Sequence, residues 1–327
     1  MKFSHVFVLA FACWKKQTVR SACVTLRTMT NIPSPPPLAP PVSAMACGGA
    51  DMLMERTDGA LRKLEKALET KAGPGLIHEV RKTIKDYRAL LRLVKSDEAR
   101  QARKAAAQAA RTLSAARDRQ AAREAILDLA QSGVIAPEDG MRAVDAIGTD
   151  EASSADVAAG LDALKTWVTD ARRLHAEVLN AQLQTVDLAR GLGEGYDKAR
   201  KATDWKKPEG LHDLRKRVVT HRYQMSFFAR IHKGVGASRA RRAQRLRETL
   251  GTIQDIEALG QVLDGLPHPI DPALRQRIVA GGLVRQKQLG KEARHQHRLL
   301  FGRKAKALIA RVKRRWPPKD DISTPTL

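Results

Sequence analysis

The stretch Ile77–Leu90, IHEVRKTIKDYRAL, carries two helical rows one residue out of step. Followed one turn further, Ile77, Val80, Ile84, Tyr87, Leu91 and Val94 recur at intervals of three and four, as the buried stripe of a helix does. His78, Arg81, Lys85, Arg88 and Arg92 recur at the same intervals, shifted by one position. At about 3.6 residues per turn, that second row lies roughly 100° round the helix, beside the buried stripe and not opposite it. A cationic row on an amphipathic helix is ordinarily a solvated face. This one adjoins the core, and between residues 77 and 92 five Lys and Arg face only Glu79 and Asp86. Like charges four residues apart cost a helix about 0.2–0.5 kcal/mol per pair, so something negative is expected across them.

The pattern returns at 211–224, LHDLRKRVVTHRYQ, at an offset of 134 residues. Leu211, Leu214, Val218, His221, Met225 and Phe228 take the core spacing, and His212, Arg215, Val219, Arg222 and Ser226 take the second row. The second copy is poorer in charge, because Val219 and Ser226 stand where Lys85 and Arg92 stood. Arg62 and Lys66 align with Tyr196 and Arg200 at the same offset. LSAARD (113–118) aligns with LGTIQD (250–255) at an offset of 137, which places Gln254 where Arg117 stands. A duplicated four-helix unit accounts for all of these matches.

Around the two stretches the text is helical. Prolines from Met52 to Arg315 fall at 74, 137, 208, 267, 269 and 272, between apolar periods and not inside them. Ala, Leu, Arg, Lys, Glu and Gln fill the intervals, and strand signals are almost absent. The pattern predicts an all-α fold with helices at 53–71, 76–95, 97–131, 154–189, 191–203, 210–233, 238–264 and 272–315, and a short one near 137–147. A helical body spans 51–318, with one repeat at about 52–189 and the other at about 190–316, followed by a flexible tail at 319–327.

Residues 1–50 are a different material, without a single Asp or Glu. Their apolar run VFVLAFAC (6–13) is shorter than the ~20 residues that span a bilayer. Lys2 before that run resembles a signal peptide, and the acid-free composition suits a transit peptide. The alternative is an unstructured or mis-started leader, with the folded body beginning near Met45, Met52 or Met54. All three cysteines lie in this segment, so the body has no disulfide framework and no cysteine metal site. It reads as a protein of a reducing, cytoplasmic compartment.

Fifty-nine Lys and Arg against 35 Asp and Glu leave a formal charge of +24, which calls for a polyanionic partner. Aromatic residues make up only 4%, against the stacking platforms that single-stranded nucleic acid needs. From Pro272 to Arg315 there are fourteen Lys or Arg and one acid, Glu292, and Arg303 and Lys304 belong to that excess. SRARRAQRLR (238–247) adds five Arg. His78 and His212 admit three readings: a structural hydrogen-bonder at a helix start, an anion donor beside Arg, or a metal ligand. His295 and His297 are off one another's face and read as cationic surface.

The doubled His-x2-Arg-x3-basic-x2-Arg helix starts, the Leu-x4-Asp turns that follow, GYDKARKA (195–202) and Arg222–Tyr223 together resemble the CHAD family, the conserved histidine α-helical domain. The resemblance runs over roughly 52–316. It implies two pseudo-symmetric four-helix bundles around a basic groove or pore that binds inorganic polyphosphate, with no cofactor and no metal. Carried over position by position, the candidate contacts are His78, Arg81, Lys82, Lys85, Arg88 and Arg92 in the first half. In the second they are Arg200, His212, Arg215, Lys216 and Arg222, with Arg303 and Lys304 from the terminal basic segment. Val219 predicts a weaker second half. Association with polyphosphate granules is the corresponding expectation.

Two rivals stand beside that reading: binding to a DNA or RNA backbone through the same cations, and an enzyme acting on phosphate chains. Against catalysis, Glu65, Glu69 and Lys71 do not reproduce the Glu-x-Glu-x-Lys strand motif of triphosphate-tunnel enzymes, and there is no Gly-rich phosphate loop. The protein is therefore expected not to be an enzyme and not to insert its body into a membrane.

Overall fold

The computed structural model describes residues 49–70, 73–111, 118–148, 154–179, 185–201, 204–231, 233–266 and 268–315. All of them lie in the unit Cys47–Leu327. Among them every regular element is helical, as the composition predicts. The helices are α1 (Gly49–Thr70), α2 (Gly73–Leu90), α3 (Asp97–Arg111), α4 (Asp118–Gln131), α5 (Pro137–Ile147) and α6 (Ser154–Arg173). There follow α7 (His175–Val178), α8 (Thr185–Lys201), α9 (Pro208–Ile231), α10 (Lys233–Asp264), α11 (Pro272–Phe301) and α12 (Ala305–Arg315). The tail read at 319–327 and the leader read at 1–50 fall outside the described residues, except that Gly49 and Ala50 already open α1.

The two quoted stretches become α2 and the start of α9, and their core rows are buried as the spacing requires. Val80, Ile84 and Leu91 are fully enclosed, as are Leu214 and Val218, and Tyr87, Met225 and His221 are nearly so. Full burial of such an aliphatic side chain is worth about 1.5–3 kcal/mol, so these rows hold the two helices in place. α1, α2, α3 and α6 pack in cyclic succession, as do α8, α9, α10 and α11. α2 packs on α9, and Gln224 of α9 donates from Nε2 to the Ala89 carbonyl of α2 at 3.0 Å in the buried seam. α4 and α5, although early in the chain, pack on α10 and α11.

Several helices break where the periodicity runs on. The helix expected at 76–95 tightens into a 3-10 turn at Leu91–Leu93, which carries Arg92 away from the straight row. The helix expected at 97–131 is described as α3 and α4. The 154–189 segment ends as α6 at Arg173, and after the short α7 the chain starts α8 at Thr185, ahead of the expected residue 191. α10 likewise starts earlier than residue 238. The 272–315 segment is two helices, parted at Gly302. Side chains from other helices satisfy the carbonyls at that break: Tyr196 of α8 donates to Arg303 O at 2.9 Å, and Arg239 of α10 donates to Leu300 O at 2.7 Å. A helix end satisfied by outside donors has no need of a further turn.

Arg239 is thus not part of the cationic surface that its neighbours in 238–247 suggested. Its guanidinium lies 5.2 Å from the Tyr196 ring and 3.4 Å from Nε2 of His221. His297 is also structural: it is half-buried, donates to Ala199 O at 2.9 Å, and packs edge-on against Trp205 and tilted against Phe301. Much of the positive excess of α11 is likewise structural. Arg277 makes a two-pronged pair with Asp139 of α5, and Arg285 makes another with Asp128 of α4. Arg277 and Arg142 hold the Asp139 carboxyl below the usual carboxylate range, and forked pairs of this kind fix orientation as well as charge.

Burial pushes His221 well below the ordinary imidazole value, and Arg239 adds to the shift. Burial lowers His175 and His297 too. A base whose folded pKa is depressed binds fewer protons than the unfolded chain, so stability is lost as pH falls below about 6.5, at up to ~1.4 kcal/mol per pH unit and group. Urea melts are expected to show midpoints falling from pH 7.5 to 5.5, with a flatter dependence in His221→Gln. Tyr196→Phe removes the donor at the helix break and is expected to cost ~1 kcal/mol at pH 7.5 in the same assay.

Candidate anion-binding site

The two acids of α2 are turned onto α1, where Glu79 pairs with Lys63 at 2.8 Å and Asp86 pairs with Arg56. The cations at the far end of α2 face other cations instead. Arg88 lies within electrostatic reach of Arg92 and Arg111, Arg92 within reach of Arg217, and Arg103 within reach of Arg92, Arg100 and Arg88. Three stretches of chain thus converge: the end of α2 with its 3-10 turn, the face of α3, and the early part of α9. Partial burial, and then these like-charged neighbours, lower Arg88 and Arg92, and push Arg103 down to about 10, where it is still charged at neutral pH.

The cluster is built on fixed supports. Arg103 donates to the Leu91 carbonyl at 2.8 Å, which also accepts the Val94 N–H at the end of the 3-10 turn. Arg217 donates to the Lys198 carbonyl at the end of α8 at 2.5 Å. The Nε–H groups of Arg88 and Arg222 are buried without a hydrogen-bond partner among the described residues. A buried charged donor left unmatched is costly, and in a cluster of arginines an anion is the group that would match it. Arg222 also lies with its guanidinium carbon 4.1 Å from the Tyr223 ring centroid.

Gln254, which replaces the residue matched to Arg117, organises the second His motif. Its Oε1 accepts from Arg215 at 3.0 Å, so its Nε2 faces Nδ1 of His212 at 2.7 Å as donor. The His212 proton therefore sits on Nε2, facing away from Gln254. Gly251, one turn before residue 255, makes room for Arg215: a Cβ there would lie 3.2 Å from the guanidinium. Arg117 itself is outside the described residues.

The structure does not gather all the candidates at one point. Asp86 senses Arg222 and Arg230, Ala89 meets Gln224, and Arg92 senses Arg217, so α2 and α9 run antiparallel. His78 and His212, each near the start of its helix, therefore stand at opposite ends of the pair, with the arginine cluster on the His212 side. His78, Lys82 and Lys85 are exposed on α2, and Arg81 is half-buried. Arg200 and Lys216 have local acids, Asp197 at 3.2 Å and Asp213 at 3.4 Å; such surface pairs are worth only about 0–1 kcal/mol and open readily. Arg303 and Lys304 are exposed at the helix break, tied through Tyr196 to α8, whose end supports Arg217.

Arg103 and Arg217 were not among the residues the spacing singled out, and Gln254 was singled out only as a departure from Arg117. Arg100, Arg103 and Arg111 do share a face of α3, three and eight residues apart, and that is the signal available for them. Arg217 has none, because it lies off the second row of α9. Among the described residues, no three His, Cys, Asp or Glu come together as a group able to hold a metal ion. No described helix is long and apolar enough to cross a membrane.

A family model described as CHAD domain matches residues 55–264, a span holding both His helices, α3 and α10. No curated protein and no solved structure matches the chain.

Like charges held this close repel until ions screen them, with a screening length of about 10 Å at 0.1 M salt and 3 Å at 1 M. The urea midpoint at pH 7.5 is expected to rise as sodium chloride is raised through that range, and to rise less in Arg92→Gln. A midpoint that falls with salt in the wild type would contradict the arrangement.

Proposed function

The chain belongs to the CHAD family, and from that premise we propose that it binds inorganic polyphosphate through this arginine cluster without catalysing a reaction on the chain. The observation that carries the reading is the meeting of Arg88, Arg92, Arg103 and Arg217 from three separate elements, the first three each lowered in part by a like-charged neighbour. A folded chain tolerates that concentration of charge best when a multivalent anion lies across it. Polyphosphate offers charge at every unit and no base to read. Arginine forks take pairs of phosphate oxygens, and the exposed lysines Lys82, Lys85, Lys216 and Lys304 add mobile point charges along the way.

The antiparallel placement of α2 and α9 supports an extended ligand over a compact one. His78 with Arg81 at one end and His212 with Arg215 at the other would be reached by successive segments of one chain. His212, its proton on Nε2, is a ready donor to a phosphate oxygen. The second half is the weaker stretch, with Val219 and Ser226 in its row, and Arg200, Arg303 and Lys304 supply charge from α8 and the helix break. Association with polyphosphate granules follows from the same reading.

The test is a titration of labelled long-chain polyphosphate over a salt series, with wild type, Arg92→Gln, Arg103→Gln and Arg215→Ala. Loss of one charged contact is expected to weaken binding by about tenfold or more. It is also expected to flatten the dependence on log salt by roughly one contact's worth. Duplex DNA is expected to compete poorly at equal phosphate concentration. Equal competition would assign the surface to nucleic-acid backbones, and an unchanged salt slope in all three variants would move the binding away from this cluster.

A further inference from the structure

A second site lies on the other side of α10. A groove of about 710 Å³ runs between α10 and α11 and is closed at one end by the segment leading into α9. That volume falls in the usual range of about 300–1,000 Å³ for small-ligand pockets. Its lining on α11 extends from Ile278 to Arg294 in a continuous stripe, about 24 Å long at 1.5 Å per residue.

The groove is graded along its length. At one end Ile278, Val279 and Leu283 of α11 face Ile256 and Leu259 of α10. Leu283 is 65% exposed and Val279 37%, so this apolar wall is open to solvent. At the other end stand Lys287, Lys291 and Arg294 of α11 with Lys206, beside Trp205. Arg294 lies 5.5 Å from the Trp205 ring centroid, and Gln286 anchors the middle by donating to the Ile253 carbonyl at 3.2 Å. The acid in the lining, Glu257, stands one turn from Ile253 towards the apolar end.

Two glycines in the groove, Gly260 of α10 and Gly290 of α11, have nothing within 4 Å of where a Cβ would be. Packing within the described chain therefore does not require them, although glycine inside a helix is unfavourable. They keep open the space over which an occupant would lie.

We propose that this groove binds a single-chain amphiphile with an anionic head, a long-chain carboxylate, with its tail along Ile278–Leu283 and its head at Lys287, Lys291, Arg294 and Lys206. The gradient selects this occupant. An amphipathic helix is apolar along its whole length on one face, whereas here apolar and cationic surface are separated end to end. The charge at the cationic end matches a carboxylate.

Isothermal titration of the full chain with dodecanoate, below its micelle concentration, tests the site. One molecule per chain is expected to bind, and dodecyltrimethylammonium, with the same tail and the opposite head, is not. Gly290→Leu places its side chain in the open groove and is expected to weaken dodecanoate at least about tenfold without lowering the thermal midpoint. Lys291→Glu with Arg294→Glu is expected to do the same, and both variants should bind polyphosphate through the arginine cluster as before. Equal binding of both amphiphiles, several equivalent sites, or undiminished binding by Gly290→Leu would overturn the assignment. So would an acidic amphipathic peptide that binds the groove and is not displaced by dodecanoate.

Discussion

The antiparallel seam between α2 and α9 is the constraint on which the rest of the molecule depends. Each helix brings a row of aliphatic and aromatic side chains that must leave water, and each carries a cationic row immediately beside it. Burying the first rows against their neighbours forces the second to the edge of the interior. There Arg88 and Arg222 lose part of their solvent, and their Nε–H groups are left without a hydrogen-bond partner among the described residues. The Gln224 to Ala89 hydrogen bond fixes the register in a place where a slipped seam would leave a buried amide and a buried carbonyl unmatched.

How the acids are distributed decides which cations remain for a ligand. Glu79 and Asp86 are drawn onto α1, and Asp128 and Asp139 are taken by forked arginines of α11. The last two pairs tie α4 and α5 to α11, across a long interval of sequence. The positive charge of this protein thus has two uses. Part of it is stitching between helices, as with Arg277, Arg285 and the buried Arg239. Another part gathers where α2, α3 and α9 meet, and that part suits a polyanion. Net charge alone does not distinguish the two uses.

A single helix can serve two chemistries because its faces are independent. α10 presents Gly251 and Gln254 to Arg215 and His212, while Ile256, Leu259 and Gly260 look into the groove against α11. α11 likewise spends Arg277 and Arg285 on structural pairs and leaves Lys287, Lys291 and Arg294 at the groove's cationic end. Tyr196 and Arg239 supply donors to the carbonyls at the break at Gly302, where that helix ends.

The helical class and the two buried rows were determined by the sequence alone, because 3.6-residue periodicity is a local property that any helix must express. The same arithmetic placed His221 in the core row, and it is buried there. It also found Arg88, Arg92 and Arg215, since these sit one step from the core stripe. It did not find Arg103 or Arg217, and it met Gln254 only as a departure from Arg117; the importance of all three arises from neighbours on other helices. It read His297 as cationic surface and counted Arg239 with the excess charge, although both are taken up by aromatic rings and backbone carbonyls from distant segments. The breaks at Leu91–Leu93 and Gly302 were equally hidden, because Arg103 at the first and Tyr196 and Arg239 at the second bring donors to their carbonyls from other helices. Which charges are compensated, and which are left to face a ligand, is a matter of distance between helices, and only the tertiary structure sets those distances.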